Sequence, residues 1–187
     1  MAESSEPIFK LVTKDGDFEI RDYEPVAAAE MTFGGDRDTA VRAGFELLFG
    51  YISGDNETKQ KIAMTSPVTQ SKLPVVTSAT TDNASSDDNN VWAVRFMMPN
   101  RATSTTLPKP GDRRIAILDL PARRTAVLRF SGLWTDGNLT ENRDKLAALI
   151  KAKGLQPLGE PLYAFYDPPW QPFFWRRNEI IWDIAPN

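Results

Sequence analysis

The chain of 187 residues contains no cysteine and no histidine. Without cysteine there is no disulfide framework, no thiolate zinc site, no iron–sulfur ligation and no thiol nucleophile. Without histidine, neither a Ser–His or Cys–His triad nor an imidazole-ligated zinc or haem can be assembled from this chain alone. Long apolar runs are missing too, and nothing approaches the roughly 18 residues of a membrane span. Nor is there a basic excess: 22 Lys plus Arg stand against 25 Asp plus Glu, a net charge of −3. Phosphate-backbone binding asks for the opposite balance, so nucleic acid is not an expected partner. The pairs Arg113–Arg114, Arg123–Arg124 and Arg176–Arg177 are short and dispersed, as solvated strand ends are. Met1 to Pro7 is polar and acidic, without the basic-then-apolar order of a secretory leader. The expectation is a cytoplasmic protein, or a periplasmic one if a leader has been removed.

What is present suits one ordinary globular domain, 41% hydrophobic and 25% charged, long enough to bury a core without staples. Ile8 to Thr13 and Phe18 to Tyr23 flank Lys14-Asp15-Gly16-Asp17, where Asp-Gly suits a hairpin turn. Val26 to Phe33 reads as a third strand. Asp36 then caps a helix over roughly 37–52, in which Val41, Phe45, Leu48 and Ile52 make an apolar face. Strands follow at Val68 to Leu73 and Val91 to Met98. Between them, 12 of the 17 residues from Pro74 to Asn90 are Ser, Thr, Asn or Asp, which marks a solvated, mobile loop.

The second half repeats this order. Arg113 to Leu120 and Arg124 to Ser131 are strands. A helix over roughly 139–153 is capped by Asn138, with Glu141 completing a capping box and Gly154 closing the end. Gly159 to Tyr166 and Asn178 to Ile184 are the last strands. Element order alone therefore predicts two strand–strand–helix–strand–strand halves, offset by roughly one hundred residues. The fold class is α+β: a distorted antiparallel β-barrel with two flanking helices.

Several segments are too particular for generic strands. They are Phe18-Glu19-Ile20-Arg21-Asp22-Tyr23-Glu24-Pro25, Gly44-Phe45-Glu46-Leu47-Leu48-Phe49-Gly50-Tyr51-Ile52-Ser53-Gly54, Lys61-Ile62-Ala63-Met64-Thr65-Ser66-Pro67-Val68, Phe96-Met97-Met98-Pro99, Phe130-Ser131-Gly132-Leu133-Trp134 and the run from Tyr166-Asp167-Pro168-Pro169-Trp170 to Arg176-Arg177-Asn178-Glu179. In this order they resemble the SOUL haem-binding family over nearly the whole chain. The resemblance implies a distorted barrel with two helices, and binding of haem or a related tetrapyrrole rather than catalysis. It implies an apolar groove between the first helix and a loop joining the last strands. Its walls here would be Phe45, Leu48 and Ile52 on the helix, Ile62 and Met64 after it, and Trp170, Phe173 and Phe174 on the loop. Lys59, Lys61, Arg176 and Arg177 are the candidates for pairing with propionates. Some members use a histidine ligand, which this chain lacks.

Read on their own chemistry, the same residues offer aromatics followed by two guanidiniums, the pairing a flat amphipathic acid needs. If iron were ligated, only Met64, Met97 or Met98, a tyrosine (Tyr23, Tyr51, Tyr163, Tyr166) or a neutral lysine remains. Two further expectations come from other classes. Prolines around Trp170 make a rigid loop that would serve a protein-interaction module. Glu179, or Glu46, would serve a small-molecule hydrolase as general base, if its pKa were raised and water were in reach. The arginines beside Glu179 argue instead for a structural pair.

Overall fold

A computed structural model describes residues 6–73, 90–168 and 170–186. The polar loop expected at 74–90 therefore lies, except for Asn90, outside the described residues.

The Asp15-Gly16 turn, with Gly16 at φ +61°, joins β1 (Phe9–Asp15) to β2 (Phe18–Tyr23). Then come β3 (Val26–Gly34), helix α1 (Arg37–Ser53), β4 (Val68–Leu73) and β5 (Val91–Met97). The second half is β6 (Ala116–Leu120), β7 (Arg123–Phe130), α2 (Asp136–Ala152), β8 (Leu162–Phe165) and β9 (Asn178–Asp183). β6 starts three residues later than the sequence suggested, because Arg113 and Arg114 sit in the preceding turn. Asp36 caps α1 as expected, its carboxylate accepting from the Thr39 N–H at 2.9 Å. The cap of α2 is Thr135 rather than Asn138. Asn138 turns its amide back onto the carbonyls of Ser131 and Leu133, so the helix begins about a turn earlier than predicted.

All nine strands among the described residues join one antiparallel sheet in the order β1-β2-β7-β9-β8-β4-β5-β3-β6, curled into a half-barrel. The order reads the same outward from the β8–β4 seam: β9, β7, β2 on one side, β5, β3, β6 on the other. Each half thus lends its first strand to the other, and β1 is an addition on the outer edge. The duplicated element order seen in the sequence is a pseudo-twofold in space.

Strand alternation gives the sheet two faces. On one, α1 covers Met31, Val94 and Phe96 with Leu48, Tyr51 and Ile52, while α2 covers Leu128, Phe165 and Ile180 with Leu146 and Ile150. Gly44 lets α1 descend onto β5, since a Cβ there would lie 2.9 Å from the Val94 side chain. The opposite face packs Tyr23, Val127, Leu162 and Ile181.

Candidate functional site

The register sets the geometry of the helix-bearing face near the end of the β4–β8 seam. Phe96, Val68, Phe165 and Asn178 form one cross-strand row over β5, β4, β8 and β9. Phe45 of α1 sits edge-on over Phe96 at 5.3 Å between ring centroids, and Phe49 stacks on Phe45 at 6.0 Å. At the other end of the row Trp134 packs on Phe165 at 4.9 Å, and its indole N–H donates to Asn178 Oδ1 at 2.8 Å. Two strand spacings, about 10 Å, separate the columns, with Val68 between them.

The aromatic loop is tied to the second column. The Gly132 N–H donates to the Phe173 carbonyl at 2.9 Å. The Arg176 guanidinium lies 4.8 Å over the Trp134 ring and its Nε donates to the Gln171 carbonyl. Phe173, Phe174 and Trp175 form a short 3₁₀ turn of edge-packed rings. All three are exposed, and Trp170 is 84% exposed. These rings form a contiguous aromatic patch at the surface.

The anticipated site residues divide. Phe45 and Met64 are exposed, and Ile62 is half-buried where its N–H donates to the Ile52 carbonyl. Lys59 and Lys61 lie exposed on the segment after α1. Leu48 and Ile52 point the other way, into the core beneath α1, and contribute backing rather than surface. Arg177 is committed elsewhere: it pairs with Glu6 and Glu179 and covers the Tyr166 ring at 3.8 Å. Phe49, Trp134 and Trp175 join the surface without having been singled out. Phe49 was legible one turn beyond Phe45, and Trp134 stood in the Phe-Ser-Gly-Leu-Trp segment.

Glu179 lies on the opposite face, since its neighbours Asn178 and Ile180 face the helices. It is fully buried and accepts five hydrogen bonds: two from Arg21 (2.8 and 3.0 Å), two from Arg177 (3.0 and 2.9 Å) and one from the Tyr166 hydroxyl (2.7 Å). A carboxylate has about four lone-pair sites, so none is left for a water to activate. Burial alone would push this carboxyl up. The hydrogen bonds from Arg21 and the charges of Arg21 and Arg177 outweigh it and hold the pKa below its ordinary value. Burial and then the Glu179 charge push the Tyr166 phenol well above its ordinary value. This network holds β2 to β9. A general base would need the reverse, and Glu46 sits exposed on α1.

Residues 4–183 match the SOUL heme-binding protein family. The chain belongs to that family. Heme-binding protein 2 of Mus musculus is 27% identical over 175 residues, covering 92% of this SOUL-family chain and 80% of the relative. Heme-binding protein 1 of Xenopus tropicalis is 29% identical over 184 residues, 95% and 90% of the two chains. In fold, the crystal structure of the EcmrR C-terminal domain matches with a TM-score of 0.66 at 10% identity, covering 96% of this chain and 99% of that one. A hydrolase from Listeria innocua matches at 0.61 with 11% identity, covering 90% and 92%.

Of the thioether and phenol candidates in this SOUL-family chain, Met64 alone is exposed. Met97 and Met98 are core, Tyr23, Tyr51 and Tyr163 are buried, and Tyr166 serves Glu179. Among the described residues no group of three or more acidic side chains is placed to hold a metal ion, and no helix is long and apolar enough to cross a membrane.

Proposed function

We propose that the chain binds haem or a related tetrapyrrole, without catalysing a reaction on it, against the apolar surface between α1 and the aromatic loop. The observation that carries this is the shared row. Phe45 over Phe96 and Trp134 over Phe165 put the helix wall and the loop wall on one face of the sheet, about 10 Å apart across Val68. Phe45, Phe49 and Met64 supply one side of the contact, and Trp170, Phe173 and Phe174 the other. Lys59 and Lys61 are the exposed cations for propionates. Affinity then comes chiefly from apolar burial, at about 25 cal/mol per Å². Each exposed ion pair adds about 0–1 kcal/mol. Among the described thioethers and phenols Met64 is the exposed one, placed to touch iron, and the surface does not depend on it. The names of the two heme-binding relatives agree with a binding role.

Titration with hemin, followed at the Soret band against free hemin and albumin, tests this. A saturable shift with Kd well below about 1 mM is expected, weakened about tenfold by Phe45→Ala or Phe174→Ala. No saturable shift overturns the proposal. Hemin affinity left intact by Phe45→Ala, Phe174→Ala and Trp170→Ala together would assign the aromatic loop to docking a protein partner instead.

A further inference from the structure

The pseudo-twofold is broken at the entry to the two helices, and an open cleft lies there. Gly35 and Gly132 occupy matching positions after β3 and β7, with φ of +105° and +110°. Each gives its N–H to a carbonyl ahead of the last strand of its half, Asn90 or Phe173, at 2.9 Å. After Gly35 the N-cap Asp36 follows directly. After Gly132, Leu133 and Trp134 intervene before the N-cap Thr135. The second half uses that two-residue insertion to lay an indole over the Phe165–Asn178 pair. Matching the halves strand by strand through their registers puts the Lys72–Trp92 pair of β4 and β5 at the corresponding step. No indole covers it. A cleft of about 370 Å³, open to solvent, lies there instead, lined by Lys72, Trp92, Tyr163, Leu139, Arg143 and Glu160 among others. That volume is within the range of small-molecule sites, roughly 300–1,000 Å³.

The polar groups around the cleft are unevenly spent. Arg37 holds the Trp134 carbonyl and Asp136, Asp36 caps α1, and Arg143 pairs with Asp144. Lys72 and Glu160 are both exposed, and neither has an ion pair among the described residues.

We propose that this cleft is a second small-molecule site, separate from the surface between α1 and the aromatic loop, and that it takes a planar aromatic carboxylate of one or two fused rings. The ring lies over Lys72 and Trp92 as the Trp134 indole lies over Phe165 and Asn178, flanked by Tyr163. The carboxylate pairs with the Lys72 ammonium. Aromatic walls supply the contact area, and Lys72, unlike Glu160, stands at the Lys72–Trp92 step over which the ring lies, so it is the charge that meets the carboxylate.

Calorimetric titration of the whole protein with indole-3-acetate, indole and tryptamine tests this, with hemin titrated on the same samples. Indole-3-acetate should saturate one site, with tryptamine at least about tenfold weaker. Lys72→Met should cost indole-3-acetate about tenfold while leaving indole and hemin unchanged. Lys72→Glu should reverse the order of indole-3-acetate and tryptamine, which a purely structural lysine would not do. Three results overturn the proposal: no saturation by indole-3-acetate, an affinity for it unchanged in Lys72→Met, or its stoichiometric displacement by hemin. The last would mean one shared site. Hemin binding can succeed or fail independently of the first two.

Discussion

Removing one charge from the buried network, Glu179→Gln, should be among the most costly single substitutions in the chain. The glutamine keeps one oxygen to accept from Arg21 or Arg177, but turns an NH₂ group toward guanidinium N–H donors. Arg21, 3% exposed and flanked by Glu19 and the Tyr23 hydroxyl, then keeps a positive charge with only part of its compensation. Breaking a buried pair by deleting one partner costs about 3–5 kcal/mol. The retained oxygen puts the expectation near the lower end, about 3 kcal/mol. Against a typical stability of about 5–15 kcal/mol, the variant stays folded at neutral pH. Urea unfolding should show the midpoint falling at constant slope. The pH dependence supplies a second signature. Because the folded pKa of Glu179 is held below its ordinary value, the stabilisation it gives is present above the unfolded carboxylate pKa, about 4.3. It is lost as pH falls through the folded value. The difference between wild type and Glu179→Gln should therefore be full at pH 7 and shrink in acid. A loss at pH 7 below about 1 kcal/mol, or one that grows in acid, would refute the reasoning.

Gly44→Ala should destabilise by about 1 kcal/mol or more, because overpacking against Val94 at 2.9 Å outweighs the gain in helix propensity. Gly50→Ala on the same helix, whose nearest neighbour would lie 3.7 Å away, should stabilise, and thermal melts of the pair compare them directly. Thr69 borders a cavity of about 10 Å³ beside Tyr23, Met97 and Tyr166, and its hydroxyl has no hydrogen-bond partner among the described residues. Thr69→Val should be neutral or stabilising in urea unfolding, and a loss above about 1 kcal/mol would instead reveal a bound water. With no histidine in the chain, metal-free protoporphyrin IX should bind within about tenfold of hemin, with weak salt dependence. A hundredfold preference for hemin that Met64→Leu abolishes would show an iron–thioether bond.

The element order was legible because each element is specified locally. Asp36 and Gly54 bracket α1, Asp15-Gly16 turns the first hairpin, and apolar spacing marks the helix faces. The duplication showed in that order too, without any repeated residues. Boundaries slipped where a side chain made a non-local bond: Asn138 looked like a cap, but its amide closes onto Ser131 and Leu133. The aromatic loop could be named from its sequence, because prolines on both sides of Trp170 forbid a central strand. Which face it shares with α1 could not, since that depends on the β4–β8 register, a pairing of residues roughly a hundred apart. The same holds for the apolar stripe of α1. Its period is visible in the sequence, but only packing against β5 decides that Leu48 and Ile52 go inward while Phe45 and Phe49 stay at the surface. The arginines next to Glu179 hinted at an ion pair, yet Arg21 arrives from β2 through strand exchange between the halves. The cleft over Lys72 and Trp92 was wholly illegible: it exists because a Trp134 counterpart is missing, and a missing side chain has meaning only once the two halves stand against each other in space.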